Sequence, residues 1–204
     1  IGEGGTAAAA DLREGLLRPA EAGAVRVHDT QGTPLGRAIS PLAEAHTGLS
    51  AVHPLAGAVD AFAARALLAR AATRSIDAQY YIWHDDLTGA LLSQELRAAA
   101  DRGVRVRLLL DDNNTAGLDP LIAALDAHPN IEVRLFNPFT IRRLRILNFL
   151  TDFARLNRRM HNKSFTADSQ VTIVGGRNVG DEYFDQGSAP QFGGLIGRDR
   201  ERAG

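Results

Sequence analysis

Residues 75–112 read SIDAQYYIWHDDLTGALLSQELRAAADRGVRVRLLLDD. The first part, residues 75–83, is rich in isoleucine, tyrosine and tryptophan and predicts a β-strand. A helix is predicted to follow, with Thr88 as its N-cap and Gly103 as the residue that stops it. Residues 104–110 then alternate apolar with basic side chains before becoming fully apolar, which is typical of a strand entering a core.

The flanking segments continue this alternation of helices and strands. Before the first strand, five apolar residues recur with helical spacing and predict one buried face: Val59, Phe62, Ala63, Ala66 and Leu67. Arg65 and Arg70 lie off that face. Asp119 and Pro120 predict the N-cap and first turn of another helix, and residues 131–135 predict a third strand. Strand–helix–strand–helix–strand predicts an α/β sandwich, a mixed sheet flanked by helices, with its chemistry at the carboxyl edge of the strands.

Three regions are predicted along the chain. Residues 1–52 are rich in alanine, glycine and proline and predict an irregular, loosely packed N-terminal extension with a turn at residues 30–34. Residues 53–192 form the α/β domain. Residues 193–204 are an atypical C-terminal tail that does not resemble a core strand.

Composition narrows the classes of function. The chain has 204 residues, 45% of them hydrophobic, and a net charge of −1, so it is an ordinary globular chain and not a general polyanion binder. The absence of cysteine excludes disulfides and thiolate metal sites. Residues 139–160 depart from this balance because they carry six arginines against one aspartate among regularly spaced apolar residues.

Two histidine- and glycine-containing segments carry the chemistry. Residues 161–168 read HNKSFTAD and residues 175–178 read GGRN, within two further predicted short strands. On a strand His161 and Lys163 would share a face, and the ammonium would disfavour protonation of the imidazole. A neutral imidazole can attack phosphorus and form a phosphohistidine, while Lys163 neutralises charge on the phosphate oxygens.

The remaining candidates support the same phosphate chemistry. Gly175 and Gly176 would allow close approach of the backbone, and Asn178 offers an amide donor. This chemistry needs no metal and no cofactor. The acidic pair at residues 111–112 could suggest a metal site, but no neighbouring histidine or glutamate cluster supports one, so turn capping is favoured.

These two segments match an HxKxxxxD motif followed by GGxN, and the chain therefore resembles the phospholipase D superfamily. The resemblance implies a phospholipase D-like fold in which His161 is the nucleophile or its partner general acid. It also implies that Lys163 and Asn178 bind the substrate phosphate together with Gly175 and Gly176. Asp168 would complete the catalytic motif in a mainly structural role. His84, at a strand end that faces the predicted site, and Glu182 are candidates for supporting the catalytic residues, and a turn cap is the alternative role for Glu182.

Residues 75–86 and 178–184 are similar to bacterial cardiolipin synthases, and the similarity extends over about residues 45–192. It implies transfer of phosphatidyl groups between phospholipids, with phosphatidylglycerol as substrate and phosphatidylethanolamine as a second candidate. The implied location is cytoplasmic, peripheral to the inner membrane. The basic, apolar segment at residues 139–160 would then contact anionic lipid.

The chain departs from the superfamily in two ways. Each active site of the superfamily uses two motifs, within one chain or across a homodimer, and this chain contains one. Residues 193–198 also replace the carboxylate that normally orients the histidine. We therefore expect an N-terminal half, produced by truncation or frameshift, that needs a second motif half or a homodimer. The alternatives are a single-motif homodimeric nuclease and an inactive remnant. Near-neutral charge disfavours nucleic acid as a partner.

Overall fold

The computed structural model describes residues 30–139 and 158–184. The helices are α1 Pro34–Glu44, α2 Ala58–Ala71, α3 Leu87–Asp101 and α4 Asp119–Asp126. The strands are β1 Ser75–Tyr80, β2 Arg105–Asp111, β3 Ile131–Phe136, β4 Ser164–Ala167 and β5 Val171–Val174. Short 3₁₀ turns occupy Asp112–Asn114 and Asp181–Tyr183.

The five strands form one mixed sheet in the order β3-β2-β1-β4-β5. The strands β1, β2 and β3 run parallel to their neighbours, as helical crossovers require. The strands β4 and β5 form an antiparallel hairpin, and β4 pairs antiparallel with β1. This arrangement confirms the predicted α/β fold with a mixed sheet. It also places the segment that precedes β4 beside the carboxyl end of β1.

The core lies between α3 and the sheet. Leu92 and Leu96 project from α3 onto the parallel strands, where they meet side chains such as Ile76 and Val106, and all four are fully buried. Phe165 extends this layer into the hairpin and is also fully buried. The antiparallel part of the sheet is therefore fixed to the parallel part by packing as well as by hydrogen bonds.

The buried face of α2 differs from the predicted one. Val59 and Leu67 are 61% exposed, whereas Arg65 is 3% exposed and packs inward with Ala66 and Ala69. The prediction is therefore right for Ala66, which is buried, and for Phe62, which packs against the core, and wrong for Val59 and Leu67. Arg65 is accommodated because its guanidinium finds polar and aromatic partners inside the fold.

Two helix starts and one strand start also differ from the prediction. Asp86, not Thr88, caps α3, because its carboxylate accepts a bond from the Gly89 amide at 2.9 Å. The cap of α4 is Leu118, one residue before the predicted Asp119, and it makes no side-chain cap bond. Strand β4 begins at Ser164 rather than at residue 160. Gly103 follows α3 with φ +91°, as predicted for a helix stop.

Asp111 and Asp112 are completely buried and cap loops, as predicted. Asp111 accepts a bond from the backbone amide of Met160 at 2.8 Å. Asp112 accepts one from the amide of Phe139 at 2.7 Å. These two carboxylates therefore hold both ends of the segment between β3 and β4 against the carboxyl end of β2.

Several predicted features lie outside the described residues. They include residues 1–29, most of the basic segment at 139–160, and the tail at 193–204. The turn predicted at residues 30–34 is present and leads into α1, a helix that the sequence pattern did not predict. Among the residues that the structure describes, no helix is both long and apolar enough to cross a membrane.

Candidate active site

His161 and Lys163 form a hydrogen-bonded pair in the segment just before β4. The Nζ atom of Lys163 lies 3.0 Å from Nδ1 of His161 and 2.9 Å from the backbone oxygen of the same residue. The i, i+2 spacing therefore brings the two side chains together, although both residues precede the strand on which they were expected. An ammonium can only donate hydrogen bonds, so this contact uses the lone pair of Nδ1 and places the proton of a neutral imidazole on Nε2.

Lys163 is largely withdrawn from solvent. It is 8% exposed, and burial lowers the pKa of its ammonium below the ordinary value for lysine. Desolvation has this sign because it disfavours the charged form. A partly desolvated cation is also the kind of group that binds an anionic oxygen strongly, since little water must be removed when the anion arrives.

Tyr81 is a member of the site that the sequence pattern did not identify. Its ring centroid lies 4.7 Å from that of His161, and Nζ of Lys163 lies 5.4 Å from the same tyrosine ring. A cation over an aromatic face is attracted to it. Tyr81 follows Tyr80, the last residue of β1, and Tyr80 is completely buried. The alternation of strand side chains was the available signal, because it sends Tyr81 to the opposite side from Tyr80.

Asn178 connects the glycine loop to the same strand end. It is 4% exposed, and its side-chain oxygen accepts a bond from the backbone amide of Ile82 at 3.1 Å. The amide NH₂ is then the group that can donate to a ligand. Because Ile82 directly follows Tyr81, the Asn178 loop and the His161–Lys163 pair meet at the carboxyl end of β1.

Gly175 and Gly176 lie between β5 and Asn178. A Cβ atom at either position would meet nothing within 4 Å among the described residues. The protein itself therefore imposes no steric need for glycine here, and a need arises only if a ligand approaches this stretch of backbone.

Asp168 lies at the opposite end of β4 from Lys163, a separation of five residues and about 16 Å along an extended strand. It is completely buried and accepts bonds from three successive backbone amides, those of Thr73, Arg74 and Ser75, at 2.8–3.2 Å. These bonds tie the start of β1 to the end of β4. The contacts match a structural role, and they place the carboxylate away from the histidine and lysine.

His84 and Glu182 form a pair beside the site. Nδ1 of His84 lies 3.3 Å from Oε1 of Glu182 and 4.0 Å from Oδ2 of Asp86. The backbone amide of His84 donates to the oxygen of Val179, next to Asn178, at 3.0 Å. The pair therefore spans the two loops that carry Tyr81 and Asn178.

Comparison with known proteins identifies relatives of this domain. A family profile described as cardiolipin synthase, PLD-like domain, matches residues 65–188. Cardiolipin synthase C of Escherichia coli is 60% identical over 161 residues, which is 79% of this chain and 34% of that protein. A cardiolipin synthase of Staphylococcus aureus is 36% identical over 124 residues, 61% of this chain and 23% of that protein.

The chain thus spans about a third or less of the length of these curated relatives. Among solved structures, NucT from Helicobacter pylori superposes with a TM-score of 0.46 at 19% identity, over 62% of this chain and 72% of that chain.

Proposed function

Because the chain belongs to the cardiolipin synthase, PLD-like domain family, we propose that it supplies one motif of an active site that transfers phosphatidyl groups between phospholipids. The observation that carries this proposal is the His161–Lys163 pair, joined at 3.0 Å and in contact with Tyr81 at the end of β1. A potential nucleophile and a phosphate-binding cation lie within reach of one phosphorus atom in such a pair.

The first half of the reaction forms a phosphohistidine. A lone pair of His161 attacks the phosphorus of phosphatidylglycerol, and the nitrogen–phosphorus bond forms as the bond to the headgroup glycerol oxygen breaks. That oxygen leaves with a proton donated by the histidine of a second motif. Lys163 neutralises the charge on the two remaining phosphate oxygens and the Asn178 amide donates a hydrogen bond to them, so no metal takes part in this displacement.

The second half regenerates the enzyme. A hydroxyl group of a second phosphatidylglycerol attacks phosphorus, returns its proton to the other histidine, and releases His161 with cardiolipin as product. Water in place of the lipid alcohol yields phosphatidic acid. Phosphatidylethanolamine is a second candidate for the phosphatidyl donor of the first half. The headgroup that is displaced need only be an alcohol bonded to the phosphorus.

The hydrogen bond from Lys163 to His161 determines which ring nitrogen carries the proton before the first half begins. While the ammonium donates to Nδ1 of His161, the proton of the neutral ring is on Nε2. For attack through Nε2 the proton must move to Nδ1. We propose that the arriving phosphate draws the Lys163 ammonium away from Nδ1, so that substrate binding itself prepares the nucleophile.

The lipid surface is the proposed place of action. Six arginines lie among apolar residues in the segment 139–160, a composition that suits an anionic membrane surface. Asp111 and Asp112 hold both ends of this segment near the carboxyl end of β2. The described ends of the segment, Phe139 and Met160, therefore lie on the strand edge where the His161 site lies. The proposed location is peripheral to the cytoplasmic face of the inner membrane.

The test is a phosphatidyl-transfer assay with the 204-residue chain. Vesicles of phosphatidylglycerol, with and without phosphatidylethanolamine, are incubated with the chain, and the products are identified by mass spectrometry. His161→Ala is the test variant. His128→Ala is its matched control, because His128 bonds Asp101 on the surface at 3.1 Å, away from the site. We expect cardiolipin or phosphatidic acid from the wild-type chain and the control only.

Equal product from His161→Ala would contradict the proposal, as would cleavage of nucleic acid without any reaction on lipid. A dimeric sample that forms no lipid product would contradict it too. A strictly monomeric sample without product would show that the second motif must come from elsewhere.

A further inference from the structure

We propose that His84, Asp86 and Glu182 form a binding site for a divalent metal ion of the zinc class. The site lies outside the His161–Lys163 pair and takes no part in the phosphate displacement. It is inferred from geometry alone and does not depend on the proposed lipid chemistry.

The donor atoms have suitable spacing. Nδ1 of His84 lies 3.3 Å from Oε1 of Glu182 and 4.0 Å from Oδ2 of Asp86, and the three ligand atoms all lie within 4.8 Å of one another. Tetrahedral zinc with bonds of about 2.0–2.2 Å holds its ligand atoms about 3.3–3.5 Å apart. The distance between Nδ1 of His84 and Oε1 of Glu182 already matches this spacing. Small side-chain movements would bring Oδ2 of Asp86 to a similar distance from both atoms.

The backbone around the cluster positions two of the ligands. Asp86 is held by bonds from the Gly89 amide at 2.9 Å and the Asp181 amide at 2.7 Å. His84 is held through its own backbone amide, which donates to Val179 at 3.0 Å. Outer contacts of this kind orient first-sphere ligands and raise metal affinity.

Because Gly180 has no side chain, the side chains of His84 and Glu182 can lie close to its Cα atom. A Cβ atom at this position would lie 2.7 Å from Oε2 of Glu182 and 3.0 Å from Nδ1 of His84. A side chain at this position would therefore require the Glu182 carboxylate, and to a smaller extent the His84 imidazole, to move. The close approach of these two ligands depends on the missing side chain.

The imidazole of His84 faces two carboxylates, one of which, that of Asp86, also caps α3. A single Nδ1 proton can be directed at one carboxylate, yet two carboxylates lie within 4.0 Å of this nitrogen. Like charges this close repel each other, and a cation between them removes the repulsion. Imidazole nitrogen with carboxylate oxygen favours zinc and related transition metals, whereas magnesium and calcium prefer ligands that are all oxygen.

The consequence of metal binding is a cross-link beside the active site. His84 and Asp86 follow β1, and Glu182 follows Asn178 in the next loop, so one ion would join both segments. These segments already meet at Trp83 and Val179 through a single β-bridge. Metal binding is therefore expected to stiffen the loop that presents Asn178.

Isothermal titration of the chelator-treated 204-residue chain with zinc chloride tests this site. We expect one zinc ion per chain and a rise in melting temperature with zinc, since an ion that binds only the folded state stabilises it. Glu182→Gln should weaken binding about tenfold or more. This variant keeps the side-chain shape at a position that is 43% exposed, so it should fold normally.

His84→Ala should also reduce zinc affinity, whereas His128→Ala should not, because His128 pairs with Asp101 and lies outside the His84 cluster. Circular dichroism without metal checks that each variant is folded. The proposal fails if the wild-type chain binds no zinc at one equivalent, or if Glu182→Gln and His84→Ala bind it as tightly as wild type. It also fails if His128→Ala weakens binding equally, or if magnesium chloride binds as tightly as zinc chloride.

Discussion

Arg65 is a buried cation whose partners are a tyrosine, a carbonyl group and an aromatic ring. Its Nε donates to the Tyr80 hydroxyl at 2.9 Å, another guanidinium nitrogen donates to the oxygen of Ala61, and the guanidinium carbon lies 5.5 Å from the Phe184 ring centroid. Burial raises the pKa of Tyr80, and Arg65 acts in the opposite direction. The arginine therefore joins α2, β1 and the loop that follows Asn178.

We predict that Arg65→Ala lowers the free energy of unfolding by about 2–4 kcal/mol, because it leaves the buried Tyr80 hydroxyl without its donor and removes side-chain packing. Urea unfolding followed by fluorescence of the single tryptophan, Trp83, measures this change. Arg97 is exposed on α3, and Arg97→Ala should change stability little. Similar losses in both variants would show that burial of Arg65 contributes nothing.

The lowered pKa of Lys163 predicts how the unfolding free energy depends on pH. Because burial lowers its pKa in the folded state, the unfolded chain binds more protons than the folded chain between the lowered and the ordinary pKa. Stability contributed by Lys163 therefore rises as pH increases through that window. We expect the unfolding free energy of wild type relative to Lys163→Met to rise from neutral to alkaline pH. A difference that stays flat or falls would contradict the shift.

The proposed lipid-transfer activity should fall as pH rises, whereas the stability contributed by Lys163 should increase. Loss of the ammonium proton removes the charge that neutralises phosphate, so lipid transfer should decline at a pH below that expected for an ordinary lysine. The two pH profiles can be compared on the same preparation. A fall in activity while stability is maintained separates deprotonation from unfolding.

At the scale of elements, the stop of α3 depends on one backbone conformation. Gly103 has φ +91°, and its amide donates to the oxygen of Ala100 at 2.9 Å. Among the described residues a Cβ atom at this position would meet nothing within 4 Å, so the expected cost of a side chain comes from the backbone conformation. Gly103→Ala should therefore lower the unfolding free energy by about 1–2 kcal/mol.

Gly32→Ala is the matched control for this element. Gly32 also has open space around a Cβ atom, but its φ does not lie in the left-handed region. Urea midpoints of the two variants should differ, with only Gly103→Ala shifted to lower urea. Equal midpoints would show that the backbone at Gly103 adjusts freely.

At the scale of the whole molecule, the proposed active site needs a second motif, and two copies of the chain are one way to supply it. If two copies form the proposed site, lipid transfer at low protein concentration should rise with the square of the concentration. Adding His161→Ala chain at a fixed wild-type concentration should then reduce activity, because mixed pairs carry one histidine and lack the second one that must exchange protons with the leaving and attacking oxygens. Activity that stays proportional to wild type and insensitive to the variant would show that a single chain suffices.

Local rules in the sequence determined much of this protein. Strand and helix periods predicted the α/β order, and the i, i+2 spacing predicted that His161 and Lys163 meet, as they do at 3.0 Å. Gly103 and the capping pair at residues 111–112 were also predictable, because turns and caps depend on a few neighbouring residues. The family resemblance rested on the same short motifs and is confirmed by the profile match over residues 65–188.

Contacts between distant segments were decided only by the tertiary structure. The placement of β1 between β2 and β4 brings Tyr81 against His161 and Asp168 against Thr73, and neither pairing follows from local periodicity. Arg65 is buried because Tyr80 and Phe184 arrive from other elements to satisfy it. The His84 cluster likewise depends on two loops that meet in space. Such contacts depend on long-range packing, where the energy of burial outweighs local preference.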